Sequence, residues 1–167
     1  MSVDRFDTRR LAGLRPGPEL MALLRKIFQD PTASATLGGM RNDEELLATR
    51  ERFEEHWRVN GFGAWLLCRR DTGEAIGYCG LQNTGVGGTP SVELLYALIP
   101  SAWGKGYATE AAQAVVALAG ERLGLTTVTS CTLTTNTSSQ RVLAKAGFVY
   151  ERDVMHSELE HRFYRRG

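Results

Sequence analysis

The chain has 167 residues with a formal net charge of +1, 43% of them apolar and 23% charged. That balance fits one domain, residues 1–167, with a sizeable core, and it excludes a global field that would draw the chain to nucleic acid or an anionic membrane. No apolar run reaches the ~18 residues of a membrane span, and the start at Met1 to Arg5 lacks the apolar stretch of a secretory signal, so the cytoplasm is the expected location.

In chain order, Arg9 to Pro16 reads as a short edge strand ended by proline. Glu19 to Phe28 carries helix-spaced apolar residues, Leu20, Leu23, Leu24, Ile27 and Phe28. Pro31 to Met40 reads as a small-residue connection. Asn42 is the expected N-cap of a helix whose first turn holds Asp43, Glu44 and Glu45, which suits the helix dipole. That helix runs to about Val59 and ends at Asn60-Gly61, with Leu46, Leu47, Phe53 and Trp57 as its buried members.

Three strands follow. Ala64 to Arg69 and Glu74 to Gln82 flank the turn signal Asp71-Thr72-Gly73. A loop over 83–90 leads to Ser91 to Ile99, closed by Pro100. A helix from about Gly104 to Leu123 stops at Gly124, with a small-residue face of Ala108, Ala111, Val115, Leu118 and Ala119. Thr126 to Thr134 is rich in Thr and Val and suits a strand. Asn136-Thr137-Ser138-Ser139 reads as a loop and cap for a short helix through Lys145. Ala146 to Tyr150 reads as a turn into another strand, and Leu159 to Arg165 as a final one. The alternation predicts an α/β fold around one sheet. Cys68, Cys79 and Cys131 show no metal-ligand spacing and read as reduced, packed thiols.

The strand, the glycine turn Trp103-Gly104-Lys105-Gly106 and the helix start Tyr107-Ala108-Thr109-Glu110-Ala111 make an anion cradle. Glycines let the backbone approach an anion, and the first helical turn offers free N–H groups and a favourable dipole. The Walker spacing is absent, and so are the third glycine and distal acid of a dinucleotide site. By itself the cradle leaves a nucleotide site and a plain turn both open.

Downstream lies Asn136-x-x-Ser139, then Arg141-Val142-Leu143-x-Lys145-x-Gly147-Phe148. Together with the run at 103–111, this pair resembles the GNAT acyltransferase superfamily, and within it the RimJ/RimL-like ribosomal-protein N-acetyltransferases. Thr8-Arg9-Arg10-Leu11 and the helical pair before Gly61 fit the same branch. The resemblance covers nearly the whole chain. It implies a mixed, mostly antiparallel, splayed central sheet with helices on both faces, and acetyl-CoA as cosubstrate in the split between the strands at 91–99 and 127–134. The pantetheine arm would run along the backbone of Ala97, Leu98 and Ile99. The pyrophosphate would sit on the amides of Gly104, Lys105, Gly106, Tyr107, Ala108 and Thr109, just after Trp103. Lys105 and Arg141 either add charge near phosphates or are solvated surface side chains. One departure is Ser101, where the superfamily often has Gln or Arg; the RimJ/RimL-like branch commonly lacks that longer residue too.

Acyl transfer to an amine needs a base, an oxyanion donor and a proton for the leaving thiolate. Glu93 is the only acid in its strand and shares a face with Leu95, Ala97 and Ile99. It is either the base, or a strand carboxylate that faces solvent or holds a salt-bridge partner. The resemblance implies the Ala97 N–H as oxyanion donor. The usual Tyr acid is replaced by Leu143, and the branch points to Ser139 instead, which is either the acid or a helix cap. Asn136 would bond the pantetheine arm or the turn itself. No motif places a histidine as base for Cys131, and His56, His156 and His161 fit no triad, so direct transfer in a ternary complex is expected rather than a covalent enzyme intermediate. Trp65, Phe62 and Tyr96 are candidates for an acceptor pocket, with core packing the favoured reading of Trp65. Residues 17–60 and the 83–90 loop are the expected acceptor-binding elements. The acceptor, a protein N-terminus or a small-molecule amine, is not legible, and the oligomeric state, a homodimer included, stays open. The competing readings are a non-catalytic CoA-binding module and an ATP site; the latter lacks the Walker Ser/Thr and a carboxylate for magnesium.

Overall fold

The computed structural model describes residues 3–167. It begins with a hairpin of β1 (Arg5–Asp7) and β2 (Leu11–Leu14) rather than one edge strand over 9–16. Thr8 makes the turn: its N–H donates to the Leu11 carbonyl, and its Oγ1 accepts the Leu11 N–H at 3.0 Å. β2 is therefore flanked on both sides, and β1 forms the edge. The helix α1 (Leu20–Phe28) buries the five apolar residues its spacing marks. The expected connection over 31–40 contains a further short helix, α2 (Pro31–Ala35), capped by Asp30 Oδ1 with Pro31 in its first turn. Proline there loses no hydrogen bond.

α3 (Asp43–Asn60) opens with a full capping box between Asn42 and Glu45 and closes on Gly61 in the left-handed conformation. Leu46, Phe53 and Trp57 are buried, but Leu47 is exposed because it falls one position outside the apolar stripe. The strands β3 (Ala64–Arg69), β4 (Ala75–Thr84) and β5 (Ser91–Leu98) form an antiparallel meander. One 3-10 turn, Pro100–Ala102, leads into α4 (Tyr107–Leu123), followed by β6 (Val128–Leu133), α5 (Thr137–Lys145), β7 (Val149–His156) and β8 (Leu159–Arg166). α4 starts at Tyr107 and not at Gly104, since Gly104 and Gly106 both take left-handed φ, +72° and +80°.

The described strands make one sheet in the order β1-β2-β3-β4-β5-β6-β8-β7. Every neighbouring pair is antiparallel except β5 with β6, which runs parallel and is joined by the single pairing Glu93↔Thr129. Beyond Leu94, whose carbonyl accepts from Ser130 Oγ at 2.8 Å, the two strands separate. This is the expected splay. Tyr78 packs edge-on against Phe53 of α3, which fixes the face α3 covers. Tyr78 pairs with Ala97, so by alternation Glu93, Leu95 and Ala97 share that face. Tyr96 points to the opposite face, where α4 and α5 lie. Trp65 belongs to the core: it is fully buried, crossed edge-on by Phe6 and Trp57, and donates Nε1–H to the Val3 carbonyl at 2.8 Å. Among the described residues no helix is long and apolar enough to cross a membrane.

Candidate active site

The glycine turn lies at the end of β5. Trp103 anchors it, donating its indole N–H to the Leu98 carbonyl at 2.9 Å. Gly106 is the N-cap of α4 and supplies no side-chain cap. The amides of the first turn therefore lack a side-chain acceptor, the condition for anion binding at a helix N-terminus. Gly104, Lys105 and Gly106 are exposed around this opening. Lys105 and Arg141 both project from the surface with no charged partner among the described residues.

A distant turn braces the cradle. Glu110, in the first turn of α4, accepts hydrogen bonds from Thr8 Oγ1 at 2.7 Å, the Arg10 N–H at 2.8 Å and Arg10 Nε at 2.7 Å. Arg10 also donates Nη1–H to the Lys105 carbonyl at 2.9 Å and lies over the Tyr107 ring, 4.4 Å from its centre. Burial pushes the Glu110 carboxyl up, but the hydrogen bonds from Thr8 and Arg10 outweigh it and hold the group below its ordinary range. Arg10 was legible only as part of a resemblance, because its partner lies a hundred residues away.

The unbroken register of β4 and β5 corrects one expectation. Ile99 donates its N–H to the Ile76 carbonyl, and Tyr78 pairs with Ala97 without a bulge. Alternation along an antiparallel ladder then turns the Ala97 backbone toward β4, and the Ala97 carbonyl indeed lies against Gly77. The amides that face the split are those of Tyr96 and Leu98, not that of Ala97. Ile99 likewise spends its N–H on β4.

Glu93 is buried, 8% exposed, beside the last point where β5 and β6 touch. Its Oε2 accepts from Gln82 Nε2 at 3.1 Å, and its Oε1 from the Cys131 thiol at 3.2 Å. Its burial overturns the solvent-facing alternative, and among the described residues it has no cationic partner within ion-pair distance, so the ion-pair alternative finds no support. Burial, then the Glu93 carboxylate, push the Cys131 thiol far up. It stays protonated and is no nucleophile at neutral pH. His56 is committed structurally: its Nδ1 bonds the Phe62 carbonyl at 2.8 Å and its Nε2 accepts from the Asn83 N–H at 3.0 Å.

On the other face, Asn136 caps α5 by accepting from the Ser139 N–H at 3.1 Å and donates to the Thr36 carbonyl at 3.3 Å. Its bond is to the turn itself. Ser139 is thus not the cap. Its Oγ lies 2.6 Å from Tyr96 Oη, which also reaches the Ser139 carbonyl at 3.1 Å. Tyr96 therefore leaves the acceptor wall where it was expected and stands behind Ser139. Burial pushes its phenol far up, and the Ser139 hydrogen bond pulls back only partly, so it keeps its proton. Leu143, at the position of the usual Tyr, is fully buried in the core. A carboxylate and a hydroxyl pair thus approach one strand split from opposite faces, with an uncapped helix start at its end.

The chain is similar to proteins of known family and fold. Residues 10–149 match the family described as acetyltransferase (GNAT) domain. The FsC-acetyl coenzyme A-N(2)-transacetylase of Aspergillus fumigatus is 35% identical over 154 residues, 87% of this chain and 65% of that protein. The chain spans just under two thirds of the length of the first curated relatives it matches. A crystal structure of an acetyltransferase from Agrobacterium tumefaciens superposes with a TM-score of 0.88 at 27% identity, covering 100% of this chain and 96% of the other. The ribosomal L7/L12 α-N-protein acetyltransferase RimL, solved in complex with coenzyme A, shares the fold with a TM-score of 0.77 at 14% identity, over 95% and 94% of the two chains.

Proposed function

The chain belongs to the GNAT acetyltransferase family, whose cosubstrate is acetyl-CoA, and we propose that it moves the acetyl group directly onto a primary amine, of a protein N-terminus or a small molecule, within a ternary complex. The observation that carries this reading is the convergence of Glu93 and the Ser139–Tyr96 pair on one strand split. Glu93 takes the proton from the attacking ammonium, directly or through water, since only the neutral amine attacks. The N–H groups of Tyr96 and Leu98 face the split and suit the oxyanion that forms as the C–N bond is made. As the C–S bond breaks, the nitrogen gives up its second proton to water, Ser139 donates its proton to the leaving thiolate, and the Ser139–Tyr96 pair is restored by a proton taken from water. The free amides of Tyr107, Ala108 and Thr109 hold the pyrophosphate, while Lys105 stands at the same opening.

Cys131 is bonded to the proposed base and protonated, which argues against an acetylated enzyme. Initial rates measured over a grid of acetyl-CoA and amine concentrations test the reading. A ternary complex gives intersecting double-reciprocal lines. Parallel lines with an isolable acetylated protein, or binding of acetyl-CoA without acetylation of any amine, overturn it.

A further inference from the structure

The face that carries Glu93 also carries two arginines without acidic partners. The Arg41 guanidinium lies 4.1 Å from the centre of the Phe28 ring, and the Arg41 N–H donates to the Phe28 carbonyl at 3.1 Å. Phe28 is itself buried, so Arg41 is held at both its backbone and its head group. Arg52 projects from α3 over Phe53, 5.7 Å from the ring centre. It lines a cavity together with Gln82, and Gln82 is the residue that bonds Glu93. Among the described residues, neither guanidinium forms an ion pair or a side-chain hydrogen bond, although nine other arginines do form ion pairs.

Tyr78 ties the two together. It packs on Phe53 and pairs with Ala97, two residues along from Leu95 on the Glu93 face. Its phenol is pushed up to about 12 by burial, and both Arg41 and Arg52 pull it back while Glu93 acts in the opposite sense. All three charges therefore act on one phenol. The segment before Arg41 is also pinned across the split, because Asn136 Nδ2 donates to the Thr36 carbonyl. Arg41 and Arg52 thus both lie within electrostatic reach of Tyr78, Arg41 held over Phe28 and Arg52 on α3, the helix over that face.

A site that offers one carboxylate and two unpaired guanidinia fits a ligand with both signs of charge. Guanidinium groups are suited to carboxylates through paired, charge-assisted hydrogen bonds, and stacking on aromatic rings holds them in place at little further entropic cost. We propose that the acceptor is an amine that also carries a carboxylate: Glu93 receives the nitrogen, and Arg41 and Arg52 receive the acid. This deepens the acetyltransferase reading and rests on it.

The test uses pairs of amines that differ only in the acid. Free amino acids are set against their amides, and short peptides with aspartate near the N-terminus against the same peptides with asparagine. The expected result is a kcat/KM at least about tenfold higher for the acidic member, which is about 1.4 kcal/mol. The two arms show whether the carboxylate belongs to a small molecule or to a peptide. Arg41→Gln and Arg52→Gln should each reduce that ratio through the acceptor KM, and the double variant should bring it close to one. Arg52 is exposed on a helix, so its variant folds even if that of Arg41 does not. Equal kcat/KM within every pair, or a ratio that survives the double variant, overturns the proposal alone. Failure to acetylate any amine, acidic or neutral, overturns the acetyltransferase reading and this proposal with it.

Discussion

Gly106→Ala isolates the cradle. Gly106 has φ +80° and caps α4, and an added Cβ would stand 3.3 Å from Arg10 Nη2. An L-residue in the left-handed region costs roughly 1–2 kcal/mol. If the helix start relaxes to relieve that strain, the amides of Tyr107, Ala108 and Thr109 turn away from the pyrophosphate. The cost then appears in cofactor affinity as a roughly 5- to 30-fold rise in Kd for acetyl-CoA. Gly124→Ala is the matched control: φ is +66°, nothing lies within 4 Å of its added Cβ, and it caps the far end of the same helix. Both variants should lose similar stability by thermal melting, while calorimetric titration shows weakened acetyl-CoA binding only for Gly106→Ala. Wild-type affinity in a Gly106→Ala protein that is as destabilised as Gly124→Ala would refute the placement of the pyrophosphate.

Two more perturbations probe the supports of the site. Tyr96→Phe and Ser139→Ala should each lower kcat by about 10- to 100-fold, at the modest end of general-acid effects, with little change in the acetyl-CoA KM. The double variant should lose no more than the worse single one, because the two hydroxyls act in series; additive losses would separate them. Glu110→Gln removes a carboxylate that accepts three hydrogen bonds and should cost about 2 kcal/mol of stability. The Glu110 carboxyl is held below its ordinary value of 4.5. Its contribution is therefore complete above that pH and lost as pH falls through the lower folded value. A plot of melting temperature against pH should be flatter on the acid side for the variant, and identical acid limbs would contradict the assignment.

What the sequence made legible was local. The Asn42 N-cap and the Gly61 stop depend on residues close in the chain, and each stands where the spacing put it; the cap of α5 falls within the expected run at 136–139, at Asn136 rather than Ser139. The short helix at Pro31–Ala35 escaped although Asp30-Pro31 is a start signal, because its small residues show no apolar stripe. The Arg10–Glu110 brace and the Cys131–Glu93 hydrogen bond join residues far apart in the chain, so no spacing could announce them. Tyr96 is instructive. Alternation already put it opposite Glu93, but only the position of α5 shows that Ser139 waits there. The direction of the Ala97 amide depends on pairing register, which one residue of slip would reverse.

Glu93→Gln tests the central claim most directly. The substitution keeps size and the hydrogen-bonding capacity toward Cys131 but removes the proton acceptor. Acetyl-CoA binding by calorimetry should match the wild type, while kcat for amine acetylation falls by about two orders of magnitude or more. Undiminished turnover in a Glu93→Gln protein that binds acetyl-CoA normally would contradict the account.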